Sequence, residues 1–135
     1  KNKAVCTYLG NKDLLNRRKI GFLASRKIST SAVLPTLDWA VEISKHTDVA
    51  VVSGFILALK GCPQFLLQGK CGIIVVLARG MYRKLPKIYD TAMNENRLLI
   101  IALEKETVTR VSEYTAQKRN NMIKILADNC FSLNF

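Results

Sequence analysis

The sequence has no long apolar run. Its hydrophobic stretches are a few residues each, far below the roughly 20 that a membrane-crossing helix needs. The amino terminus, Lys1-Asn2-Lys3, has no apolar core of a secretory leader, so export is not expected and a cytoplasmic setting is. Histidine is nearly absent, with His46 alone, and the four cysteines (Cys6, Cys62, Cys71, Cys130) form no C-x-x-C pair and are not near that histidine in sequence. A zinc site is therefore unsupported, no cofactor is expected, and the thiols read as reduced and structural. Acidic residues are scarce as well, 10 against 21 Lys and Arg, which leaves a net charge of +11.

Motifs for familiar nucleotide chemistry are also missing. There is no G-x-G-x-x-G after the first strand and no G-x-x-x-x-G-K-[ST]; Gly69-Lys70 runs into Cys71 and lacks the loop before it. No G-x-S-x-G elbow occurs. Glu104 and Glu106 follow the fourth apolar run, and Asp90, Glu95 and Glu113 are scattered, so no spacing fixes an acid–base pair. His46 sits at a helix end beside Asp48, where it reads as a partner of the helix dipole. Catalysis is not expected on these grounds.

What is present is the composition of one globular domain: 135 residues, 49% hydrophobic and 23% charged. The charge is uneven. No acidic residue falls between Asp48 and Asp90, an interval holding Lys60, Lys70, Arg79, Arg83, Lys84 and Lys87. A second basic group, Lys12, Arg17, Arg18, Lys19, Arg26 and Lys27, is opposed only by Asp13. Clustered cations raise the local concentration of a polyanion, which makes nucleic acid the leading partner class.

Along the chain, short apolar runs alternate with helical stretches. Ile20–Ala24, Val49–Val52, Gly72–Leu77 and Leu98–Ala102 read as strands, and Cys130–Phe135 as a fifth. Helices are expected over Ala32–Lys45, Pro63–Leu67, Ile88–Asn94 and Tyr114–Ala127. Continuous apolar strands alternating with helices imply an α/β fold: a three-layer, Rossmann-like open sheet, mostly parallel, with about five strands and helices on both faces. Residues 1–18 read as an extension packing on that domain, which would span 19–135.

Ligands of open α/β sheets bind outside the carboxyl ends of the strands. Here those ends carry Ser25-Arg26, Ser53-Gly54 and Arg79-Gly80. Glycines admit a ligand close to the backbone, hydroxyls and free N–H groups take phosphate oxygens, and arginine offers a two-pronged fork. Any one of these glycines also serves simply to turn the chain; the three strand ends together point to an anion-binding crevice. Tyr82 beside Arg83 offers a stacking surface or a core residue. The rivals to nucleic acid are a nucleotide or phosphosugar module or hydrolase in the same crevice, with Glu104 or Glu106 as acid or base, and a basic face that docks an acidic protein.

Read together, IGFLASRK at Ile20–Lys27, VVSG at Val51–Gly54, GIIVVLARG at Gly72–Gly80 and QKRNN at Gln117–Asn121 resemble the DNA-processing protein A (Smf) family. Its members have a Rossmann-like domain with a G-S-R turn after strand one, an S-G turn after strand two and an R-N-R stretch near the final helix. The resemblance implies a single-stranded DNA-binding protein of recombination, without catalysis, that helps load a recombinase partner as a homodimer and has no membrane association. It carries the site to Ser25, Arg26, Ser53, Gly54, Arg79, Gly80, Lys118, Arg119 and Asn120. Ala24 replaces the glycine of G-S-R, Asn121 the last arginine of R-N-R, and Phe55–Ala58 a glycine-rich continuation, departures that weaken DNA affinity at the usual place. The P-G-G-x-G-T signature of cytokinin-type hydrolases is absent, and no winged-helix extension is expected.

Overall fold

A computed structural model describes residues 6–24, 38–54 and 68–133. Six strands, β1 (Thr7–Gly10), β2 (Arg18–Ala24), β3 (Val49–Ser53), β4 (Gly72–Leu77), β5 (Leu98–Ala102) and β6 (Asn129–Leu133), form one sheet in the order β1-β5-β4-β3-β2-β6. The five strands from β2 to β6 are mutually parallel, as expected of their continuous apolar runs. β1 is the addition. It pairs antiparallel with β5, Thr7 opposite Ala102 and Gly10 opposite Leu99, so this part of the amino-terminal segment lengthens the sheet.

Every residue of β3, β4 and β5 is buried, because both sheet faces are covered. Alternation along each strand sorts the side chains into two cores. Val51, Ile73, Val75, Leu77, Leu98 and Ile100 point to one face, where they meet Phe22, Ala40, Tyr89 and Ala92. Ala50, Val52, Ile74, Val76, Leu99 and Ile101 point to the other, where they meet Leu14 and Ile123. The first face is covered by helical residues 38–44 (α1) and by Asp90–Asn94 (α2), entered through a 3-10 turn at Lys87–Tyr89. Trp39 of α1 stacks on Phe22 of β2, ring centroids 5.1 Å apart.

The second face is covered by Glu113–Leu126 (α3), which packs across β2, β3 and β4. Its start is fixed locally: Thr115 N–H donates to Ser112 Oγ (3.1 Å) and Ser112 N–H donates back to Thr115 Oγ1 (2.8 Å). Of the expected helices, Ala32–Lys45 is present over 38–44, Ile88–Asn94 as the 3-10 turn and helix over 87–94, and Tyr114–Ala127 over 113–126; residues 32–37 and the helix foreseen at Pro63–Leu67 lie outside the described residues. Cys71 is buried, and desolvation pushes its thiol up to about 11. Among the described residues no helix is long and apolar enough to cross a membrane, and no three His, Cys, Asp or Glu side chains are grouped to hold a metal.

Candidate nucleic-acid interface

The strand register shapes the carboxyl edge of the sheet. Ser53, the last residue of β3, is level with Phe22 of β2 and Val75 of β4. Both neighbours run two residues further, to Ala24 and Leu77, so the end of β3 is recessed between them. At the strand rise of about 3.3 Å per residue, the notch is about 7 Å deep. Gly54 stands at its floor.

Helix periodicity brings a cation to this notch. Thr115 and Ile123 are the buried positions of α3, and Arg119 lies four residues from each, on the same sheet-facing stripe. Its side chain crosses Gly54: a Cβ there would stand 2.9 Å from Arg119 Cδ and Nε. The absent side chain of Gly54 is therefore what admits the guanidinium. Arg119 Nε donates to Asn120 Oδ1 at 3.2 Å, which orients the group.

Beside the notch, β4 continues into Arg79 and Gly80. The Arg79 guanidinium lies over the Tyr82 ring, 5.0 Å from its centroid, and its Nε donates to the carbonyl of Gly80 at 3.1 Å. Gly80 does not offer its N–H to a ligand. That group donates to the Val108 carbonyl at 2.8 Å, and a Cβ at Gly80 would strike the Lys105 carbonyl. The expected phosphate cradle at this backbone is thus corrected: Gly80 is small because the segment after β5 packs on it.

Lys118 is also engaged within the protein. Its Nζ stands 2.8 Å from Glu104 Oε2, and the carboxylate pushes its pKa up from the ordinary lysine value. The ammonium also lies over the Tyr114 ring, 5.3 Å from the centroid. Glu104 accordingly serves as the ionic partner of Lys118. Ser53 is buried at the end of β3 and is engaged within the molecule. Ser25 and Arg26 lie outside the described residues. His46 pairs one turn back with Glu42, its Nε2 3.3 Å from the carboxylate, on an exposed surface.

Of the residues foreseen, the structure brings Arg119 against both Gly54 and Asn120 and places Arg79 two residues past the end of the adjoining strand. The Glu104–Lys118 pair has no signature in the sequence, since it joins the end of β5 to the second turn of α3. The model of DNA recombination-mediator protein A matches residues 2–133, nearly the whole sequence. The chain belongs to that family. DNA processing and recombination is therefore the setting in which the family places it. Its fold is similar to that of DNA processing protein A from Helicobacter pylori, a structure concerned with that protein's single-stranded DNA binding mode. That match has a TM-score of 0.72 at 17% identity and covers 94% of this chain and 59% of the other. The Streptococcus pneumoniae DNA processing protein A matches with a TM-score of 0.68 at 19% identity, over 94% of this chain and 45% of the other. At these identities the likeness is one of fold, and the chain spans about half the length of these two proteins. Comparison with the curated proteins finds no match.

Proposed function

We propose that the chain binds single-stranded DNA non-specifically at the carboxyl edge of its sheet and acts in recombination as a binding protein without catalysis. The observation that carries this reading is Arg119 laid across Gly54 at the floor of the notch. An arginine laid on a glycine at a strand end and bonded to the next asparagine of its own helix is a planar cation of the kind that binds phosphate. The family and the Helicobacter pylori protein support the choice of ligand. Ser25 and Arg26, by the family resemblance, belong to the same site. The same resemblance supplies the recombinase partner and the homodimer, and the reading of the cysteines as reduced thiols supplies the cytoplasmic setting.

A hydrolase reading would need Glu104 or Glu106 as acid or base. Glu104 is tied to Lys118, which favours the binding reading. Anisotropy of labelled oligonucleotides against salt tests the proposal. Each phosphate contact on a single strand contributes a slope of about −0.7 in log K against log salt. Arg119→Ala is expected to flatten the slope by about that amount and to weaken all sequences alike. A salt-independent affinity, or tight binding of a mononucleotide with none of an oligomer, would overturn the reading.

A further inference from the structure

Arg79, Arg83, Lys84 and Lys87 all lie in the connection between β4 and α2, with no acidic residue before Asp90. That connection is held firmly. Gly80 N–H donates to Val108 O at 2.8 Å at one end, and Tyr89 N–H donates to Pro86 O at 3.0 Å at the other. Between them Met81, Tyr82 and Leu85 pack on the core beneath α1 and α2. Those three side chains turn inward, and Arg83, Lys84, Lys87 and Ile88 are left exposed. Anchoring of this kind fixes where the charges stand, so little further ordering is needed when a polyanion binds.

Arg79 adds a second feature. Tyr82 leans on the buried Tyr89, ring centroids 6.3 Å apart, and the Arg79 guanidinium lies over the Tyr82 ring. Tyr89 is buried, and Tyr82 and Arg79 are half-buried. Nε is fixed by the Gly80 carbonyl, while the two Nη groups have no partner among the described residues. A guanidinium held flat in this way takes a nucleobase on its plane and a phosphate on its Nη edge.

The two cationic positions at the strand ends also belong to opposite faces. Arg119 comes from α3, on the face of Ile123, whereas Tyr82 packs with the core under α1 and α2. We propose that residues 79–87 are the second stretch of a nucleic-acid track. The strand crosses the carboxyl edge from Arg119 and Gly54 to the α1/α2 face; one base stacks on Arg79, and phosphates follow Arg83, Lys84 and Lys87. This inference rests on the single-stranded DNA reading and adds to it the course of the strand and a base-stacking position.

The test measures the full chain against labelled dT oligomers and abasic oligomers of equal length over a range of salt. In the R83A/K84A/K87A variant, all three sites exposed, the slope is expected to flatten by about 2 at three phosphates. Arg79→Lys keeps the charge and removes the plane. It is expected to cost roughly tenfold on dT and nothing on the abasic oligomer, with the slope retained. If the wild-type chain binds with an Arg119-dependent slope while the triple variant keeps that slope, the track is overturned and the DNA reading stands. An equal loss on both oligomers in Arg79→Lys overturns the stacking position. If the wild-type chain binds no oligomer, both readings fail.

Discussion

The two edges of the sheet carry cations of the same kind and hold them in different ways. At the amino edge two of them, Lys19 and Arg97, are enclosed by oxygen, whereas Arg17 Nη1 lies against Gly72, 3.2 Å from where a Cβ would stand. Lys19 Nζ donates to the carbonyls of Leu15 (2.8 Å) and Arg17 (3.1 Å) and stands 3.9 Å from Asp128. Arg97 is buried before β5, its Nη2 2.7 Å from Glu95 and its Nη1 donating to the Cys71 carbonyl at 2.9 Å. At the carboxyl edge Arg79 rests on an aromatic ring and Arg119 on a glycine. A guanidinium bonded to carboxylates and carbonyls serves the fold; one laid on a ring or a bare backbone is held in place by a support that carries no formal charge. Position in the sheet thus separates cations that composition counts as equal.

Arg97→Ala gives the sharpest contrast. It removes a charge-assisted pair and leaves the buried Cys71 carbonyl without the donor it now has, so the chain should lose about 2–3 kcal/mol of stability. The salt slope of the folded protein for oligonucleotides should be unchanged. Urea unfolding together with anisotropy reads both quantities. A lowered slope at full stability would show that the amino edge also takes part in binding.

The parallel strands were legible because each is a short apolar run that had to be buried on both sides, and Val49–Ser53, Gly72–Leu77 and Leu98–Ala102 came out within a residue of where they were expected. β1 was not. Thr7, Tyr8, Leu9 and Gly10 are all exposed on an edge, so no burial pattern marks them, and only the register with β5 defines the strand. The short 3-10 turn Lys12–Asn16 escaped for the same reason, although its Leu14 is fully buried. At the candidate site, Arg119 and Gly54 came from strand ends and from family resemblance. Their contact depends on helix phase, which local composition does not reveal. The occupied N–H of Gly80 depends on Val108, far along the chain.

Gly54→Ala tests the glycine support at the carboxyl edge, with a smaller effect. The new methyl would press on Arg119 Cδ and Nε, the outer part of a flexible side chain that can swing aside. Stability should therefore change by less than about 1 kcal/mol. Binding of a single-stranded oligomer should weaken roughly tenfold, equivalent to about 1.4 kcal/mol, because the guanidinium no longer lies in the notch. Unchanged affinity in a folded variant would separate the glycine from the binding role of Arg119.

Lys118 is the exception at the carboxyl edge, and it yields the smallest and most discriminating effect. Its ammonium is answered by Glu104, in the manner of Lys19 and Arg97, although it stands one residue from Arg119. Glu104→Gln keeps the shape of the side chain and removes its charge, so Lys118 becomes available to phosphate and the negative charge beside the site disappears. The salt slope should steepen by up to about 0.7, one phosphate contact on a single strand, with a modest gain in affinity at low salt. Lys118→Ala in the wild-type background should leave the slope nearly unchanged, and in the Glu104→Gln background it should cancel the gain. If Lys118→Ala alone flattens the slope as far as Arg119→Ala does, then the carboxylate releases the lysine when DNA arrives. Lys118 would then belong with the cations on the ring and the glycine, its pair with Glu104 a feature of the unbound protein.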